Sequence, residues 1–293
     1  VKKSLALFLL FVLTALAQAK KPPGVLLLLD GTGSAGKSSI GRELERSLDH
    51  SVFLSEELLV FNAYNHLIRQ HKLQPPQPLH NLGELLRYRQ TLPAATEAAL
   101  KQEFKSTGEA FMKRDTRRLI RQILGQGHHT IILDNTLWQP ELVRQWQEDT
   151  RDYNTFHVIV YCPLKKLLKH IQTRNLSPET YEHRDVALPL EMYFSMYRPA
   201  GPKTRRVIDT LERNAVVRDL RNCFAYQKSL TGQNTPDSLL QSYLRRSHLD
   251  TRAKVKIAPF FDYDLIVNTG TSSPSDCAKE IQSMLYSRTR TQY

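Results

Sequence analysis

The chain has 293 residues, of which 41% are hydrophobic and 24% charged, and its formal charge at neutral pH is +12. Such a composition excludes collagen-like and disordered chains, and the length is ample for one sizeable core carrying insertions. The positive balance favours anionic partners such as nucleotide phosphates, nucleic acid or acidic lipid, without choosing among them.

Residues 1–19 read as a secretory leader. Lys2 and Lys3 form a positive n-region, and residues 5–17 are apolar but shorter than the ~20 residues a membrane span needs. Ala17-Gln18-Ala19 then supplies an A-x-A cleavage pattern. The expectation is export to the periplasm or beyond. An uncleaved leader would instead leave a cytoplasmic or membrane-anchored protein. Residues 20–293 read as one domain.

After Pro22-Pro23, the run Gly24-Val25-Leu26-Leu27-Leu28-Leu29 is unbroken by polar residues, the pattern of a central parallel strand covered on both faces. It ends in Gly31-Thr32-Gly33-Ser34-Ala35-Gly36-Lys37-Ser38, which satisfies G-x-x-x-x-G-K-[ST]. Glycines let the backbone curl so that several N–H groups face phosphate oxygens, and the following helix adds the positive end of its dipole. Lys37 would reach the β- and γ-phosphates, and the Ser38 hydroxyl would ligate Mg²⁺, with Ser39 completing the nucleotide cradle. A loop placed between an apolar strand and a helix bearing Ile40, Leu44 and Leu48 is the context that gives the motif its meaning. Asp30, directly before the loop, reads as a residue that orders its backbone.

Further along, residues 70–93 contain Gln74-Pro75-Pro76-Gln77-Pro78 and read as an irregular loop or lid. Arg114, Arg117, Arg118 and Arg121 read first as a solvated helix face. Residues 130–133, 158–161 and 265–267 are short apolar runs of the core-strand type. Asp134 ends the first of these, at the carboxyl edge where open α/β sheets bind ligands. It suits metal support of the Walker B kind, and equally a turn capped with Asn135. Leu164, Leu167, Leu168 and Ile171 follow helical spacing after Pro163. Residues 177–259 are polar, basic and helical by pattern, as in 207–220. Ser273-Pro274-Ser275-Asp276 opens a last helix with an N-cap and Pro at N1. Strands alternating with helices imply an α/β architecture: a P-loop NTPase or kinase fold, its parallel sheet flanked by helices, with largely helical insertions around 70–115 and 177–259. Cys162, Cys223 and Cys277 lack metal-type spacing, and Cys162 reads as a packed thiol.

Three segments resemble the chloramphenicol phosphotransferase-like family of P-loop kinases. The family's loop typically reads Ser-Ser-Ala-Gly-Lys-Ser, close to Gly33-Ser34-Ala35-Gly36-Lys37-Ser38. Its strand ending in Cys-Pro-Leu, followed by a helix with an Ala-Arg-Gly stretch, corresponds to Val158-Ile159-Val160-Tyr161-Cys162-Pro163-Leu164 and then Thr173-Arg174-Asn175. Its closing Tyr-Asp-Leu-x-Val-(Asp/Asn)-Thr strand corresponds to Tyr263-Asp264-Leu265-Ile266-Val267-Asn268-Thr269. The matches run in order over roughly a quarter of the chain, and the second and third are more specific than the loop.

The resemblance implies ATP and Mg²⁺ and a small-molecule hydroxyl as acceptor. It aligns Phe53-Leu54-Ser55-Glu56-Glu57-Leu58 with a stretch whose Asp activates the acceptor, so Glu56 takes that place with one more methylene. Glu56 and Glu57 also suit the first turn of a helix without any further role. Arg174 matches a lid arginine that steadies the transferring phosphoryl. The second lid arginine is replaced by Ser177, with Arg184 nearby in sequence. The insertions should shape a different acceptor pocket from that of compact members. Two other functions stay open: a toxin-like nucleotide-sugar kinase (zeta-toxin type) or polynucleotide kinase, and a nucleotide-binding interaction protein without turnover. Nucleic acid is disfavoured, because the basic residues lack interleaved aromatics. Export also conflicts with ATP dependence, unless the protein acts after delivery into another cell.

Overall fold

The computed structural model describes residues 24–126, 130–134, 140–175, 186–204, 206–232 and 234–290. The leader reading at 1–19 lies outside them, as do Asn135, Ser177 and Arg184. Among the described residues, no helix is long and apolar enough to cross a membrane.

A five-stranded parallel sheet forms the core, in the order β2-β3-β1-β4-β8. Its strands are β1 (Val25–Asp30), β2 (Ser51–Leu54), β3 (Thr130–Asp134), β4 (Asn154–Tyr161) and β8 (Leu265–Asn268). The leucine run of β1 explains why this strand is central. Side chains alternate between sheet faces, so Leu27 and Leu29 join one apolar cluster while Leu26 and Leu28 join another. Each fully buried leucine contributes about 1.5–3 kcal/mol through removal from water. On the first face lie α1 (Lys37–Ser47), through Ile40 and Leu44, α7 (Leu164–Asn175), through Leu167 and Ile171, and α11 (Pro274–Arg290), through Ile281. On the second lie α5 (Glu109–Gly125), through Ile120 and Ile123, and α6 (Pro140–Thr150), through Val143. Ser273 opens α11 by accepting from the Asp276 N–H at 3.2 Å, as its sequence requires.

A helical insertion follows β2. It comprises α2 (Glu56–Gln70), α3 (Leu82–Gln90), α4 (Ala94–Glu103) and a π-turn, Phe104–Gly108, leading into α5. It has its own small core of Tyr64, Leu67, Ile68, Leu85, Leu86 and Leu100. Arg89 is almost fully buried there, 4.1 Å from the Tyr64 ring centroid and 2.8 Å from Glu97 Oε1. The loop expected over residues 70–93 therefore needs correction, because its second half is a helix. Asn81 accepts from the Glu84 N–H at 2.9 Å while the Glu84 carboxylate accepts from the His80 N–H at 2.8 Å, a reciprocal start signal that the proline cluster obscured.

The second insertion is largely helical, as its pattern implies, and adds strands that the pattern did not show. Helices α8 (Ala187–Met196), α9 (Arg213–Thr231) and α10 (Asp237–Arg246) accompany a three-stranded antiparallel sheet, β5-β7-β6. Its strands are β5 (Tyr197–Pro199), β6 (Asp209–Glu212) and β7 (Lys254–Pro259). The stretch 207–220, read as helix, divides into strand β6 and the start of α9. Lys254-Val255-Lys256-Ile257 alternates exposed and buried, the signature of a strand with one wet face.

Candidate active site

β1 and β3 are neighbours, yet the chain leaves β1 toward β2 on one side and leaves β3 for β4 on the other. Ligands of open α/β sheets bind in the crevice at such a reversal. The register pairs Leu29 with Asp134, so the end of β3 stands beside the start of the glycine-rich loop.

The loop's path depends on its glycines. Gly31 has φ +147°, and a Cβ there would sit 2.6 Å from the backbone oxygen of Val160 in β4. Gly36 has φ +100° and Ser34 φ 67°. The outward carbonyls are held by two neighbouring elements. The Ser34 oxygen is 3.1 Å from His170 Nδ1 of α7, and the Ala35 oxygen accepts from Thr269 Oγ1 at 3.0 Å. Because a trans peptide points its C=O and N–H oppositely, the Gly36 N–H faces away from Thr269. The N–H groups of Gly33, Ser34 and Gly36 have no protein acceptor among the described residues. Such a run of donors forms an anion nest. It meets the amino end of α1, whose first turn carries no carboxylate to compete for the dipole. The start of α8 lines the same place, with Pro189 Cγ 3.7 Å from where a Gly33 Cβ would lie.

Lys37 is 6% exposed and folds back over the loop, donating to the oxygens of Gly31 at 2.9 Å and Thr32 at 3.2 Å. Its Nζ lies 3.6 Å from Asp134 Oδ1. Ser38 Oγ donates to Asp134 Oδ2 at 2.5 Å. Lys37, Ser38 and Asp134 thus converge. Thr32 Oγ1 is buried with no partner among the described residues. Asp30 is 0% exposed, accepts from the Gly31 N–H at 2.8 Å and from the Tyr263 hydroxyl at 2.7 Å, and so orders the loop's backbone.

Among the described residues no three His, Cys, Asp or Glu side chains gather as a metal cage. One carboxylate beside one hydroxyl is nevertheless the donor set that Mg²⁺ uses when phosphates and water complete its octahedron. The residues therefore fit the ion.

Glu56 is exposed at the first position of α2, just past the carboxyl end of β2, and Ser55 caps that helix by accepting from the Leu58 N–H at 3.2 Å. It shares the sheet edge with Asp134 and the loop. Arg174 belongs to the last turn of α7, and its side chain lies outside the described part of the structure. Ser39 is exposed on the first turn of α1. Two basic residues of α5 are engaged locally: Arg117 pairs with Asp149, and Arg118 with Asp115 at 2.6 Å. Cys162, Cys223 and Cys277 are buried free thiols, and burial pushes Cys223 and Cys277 up to about 11. Sequence reasoning missed His170, Thr269 and Tyr263 as supports of the loop. Only the Tyr-Asp-Leu and Asn-Thr stretch around β8 signalled the last two.

The sequence matches no family model and no curated protein. Similar solved structures include TT1252 from Thermus thermophilus, 12% identical, with 90% of this chain and 97% of that one covered and a TM-score of 0.41. An APS kinase from Mycobacterium tuberculosis, in complex with AMPPNP and APS, is 15% identical, with 90% and 99% covered and a TM-score of 0.38. The tunicamycin resistance protein of Deinococcus radiodurans is 10% identical, with 89% and 95% covered and a TM-score of 0.38. At these scores the likenesses add no weight, and the assignment stands on the sheet order and the loop. On those grounds the chain has a P-loop kinase-like α/β fold.

Proposed function

We propose that the chain is an ATP-dependent phosphotransferase that moves the γ-phosphoryl group to a hydroxyl of a small molecule. The observation carrying this reading is the meeting of Lys37, Ser38 and Asp134 at the mouth of a nest of backbone donors. Phosphoryl transfer is mostly positioning and charge stabilisation, and this site is furnished for both.

In this reading the loop amides and the α1 dipole hold the phosphates of ATP. Lys37 exchanges its loop carbonyls for β- and γ-phosphate oxygens. Ser38 and Asp134 would hold Mg²⁺, which when bound neutralises charge developing on the phosphates. The acceptor oxygen attacks the γ-phosphorus, the bond to the β–γ bridging oxygen breaks, and ADP leaves with that electron pair. The acceptor's proton passes to Glu56. Arg174 would close over the transferring group. The likeness to chloramphenicol phosphotransferase-like kinases supports a small-molecule alcohol as acceptor. With Glu56 reaching one methylene further and α8 standing over the loop, we take that alcohol to differ from chloramphenicol.

The test incubates the protein with Mg·ATP and a panel of hydroxylated metabolites and antibiotics, and seeks a phosphorylated product by mass spectrometry. One acceptor class yielding product is the expected result. ATP bound with no product from any acceptor would turn the reading toward a nucleotide-binding interaction protein.

A further inference from the structure

Behind the loop lies a wall of buried tyrosines, Tyr161, Tyr193, Tyr197 and Tyr263, none more than 2% exposed. Three of them pack edge to face, with the rings of Tyr161 and Tyr193 5.1 and 4.9 Å from that of Tyr197. Tyr161 donates to Asp209 of β6 at 2.5 Å. Tyr263 instead reaches the loop. It lies in the short connection between β7 and β8, and its hydroxyl donates to the buried Asp30 carboxylate, 233 positions away in sequence. The other oxygen of that carboxylate accepts from the Gly31 N–H, where the loop begins.

Tyr263 is itself fixed on several sides. Phe261 packs edge-on against its ring at 5.2 Å, and Arg206, from the β5–β6 connection, donates to its backbone oxygen at 2.5 Å. The next residue, Asp264, accepts from the His157 N–H of β4 at 2.8 Å and pairs with Arg288 of α11 at 2.6 Å. Burial, and then the nearby Asp30 charge, push the Tyr263 phenol far above its ordinary range, so it stays a donor. A carboxylate this buried is tolerable only while its oxygens are hydrogen-bonded. The Asp30 carboxylate is therefore aimed by Tyr263, and Gly31 is aimed by Asp30.

We propose that Tyr263 is a positioning residue for the phosphate loop, acting through Asp30, so that loop order and nucleotide affinity depend on a segment held by the second insertion. The affinity part rests on the ATP reading above; the loop-order part does not.

The test is Tyr263→Phe, which removes one oxygen and keeps the ring. Amide exchange of Gly31 and Ala35, the loop N–H groups that have acceptors, should quicken about tenfold or more in the nucleotide-free protein, the factor matching one hydrogen bond to a charged group. Exchange in Leu26–Leu29 should not change. The Kd for ATP should rise by a similar factor, while turnover at saturating ATP stays within about twofold. A lower melting temperature with unchanged loop exchange and unchanged Kd would make Tyr263 merely structural and overturn the proposal. If that variant does not fold, Arg206→Ala replaces it: faster exchange of the Gly31 and Ala35 amides supports the proposal, and unchanged exchange overturns it. Should the wild-type protein bind no ATP, the ATP reading fails, and the exchange result still decides this inference.

Discussion

Gly31→Ala tests the loop geometry most sharply, because two separable costs meet at one position. The added Cβ would lie 2.6 Å from Val160 O, a backbone atom of the interior strand β4, which cannot swing aside as a side chain would. It would also hold alanine at φ +147°, a conformation outside the usual L-residue regions. Backbone strain of this kind costs about 1–3 kcal/mol. Forcing extra volume into a packed site costs about 1–3 kcal/mol more. Gly36→Ala carries the backbone strain only, since its Cβ would sit 3.5 Å from Thr269 Cγ2, an ordinary contact. Gly125→Ala, at the end of α5 with nothing within 4 Å, should be neutral or gain up to about 1 kcal/mol. Urea unfolding followed by circular dichroism gives all three values from midpoints at constant slope. The expected order of loss is Gly31→Ala, then Gly36→Ala, with Gly125→Ala at or above wild type. A Gly31→Ala protein as stable as Gly36→Ala would refute the close approach of the loop to β4.

Other outcomes follow from the same reasoning. Glu56→Gln should lower turnover by about 10²-fold with the Kd for ATP, measured by titration calorimetry, unchanged, as removal of a proton acceptor requires; unchanged turnover with a lower melting temperature would argue for a first-turn carboxylate that only steadies its helix. Arg89→Ala should cost about 3 kcal/mol or more, because it breaks a buried ion pair and opens the core of the first insertion. Limited proteolysis should then cut that insertion first, and uniform cleavage along the chain would contradict its separate core. His157 is held below its ordinary pKa by burial, partly opposed by Asp264. The unfolded chain thus binds the proton first, so this contribution to stability is present above about pH 6.5 and is lost as pH falls below it. His157→Phe should flatten the melting temperature between pH 7.5 and 5.5, and an unchanged slope would show that other groups carry the acid sensitivity.

Much of this architecture was legible from local pattern. β1 announced itself because a run of leucines long enough for both faces is followed at once by glycines at phosphate-loop spacing. Lys37, Ser38 and Asp134 were legible because each ends or follows a strand, and parallel strands deliver their carboxyl ends to one edge. β2 was harder, being four residues long and only half-buried over Ser51, Val52 and Phe53. Helix α3 was hidden by the prolines before it, although Asn81 and Glu84 carried its start signal. The antiparallel sheet was missed because β5 and β6 have only three and four residues. No local pattern could have joined Tyr263 to Asp30, since that pairing exists only once β8 lies near β1 in the folded sheet.

The most direct test of the central claim is the rate of Mg²⁺-dependent ATP consumption by the wild-type protein and by Lys37→Ala, each with and without a hydroxylated acceptor. The account predicts acceptor-stimulated consumption in the wild type, its loss on chelating the metal, and its fall by orders of magnitude in Lys37→Ala. Equal rates in the two proteins, or ATP consumption indifferent to every acceptor, would contradict it.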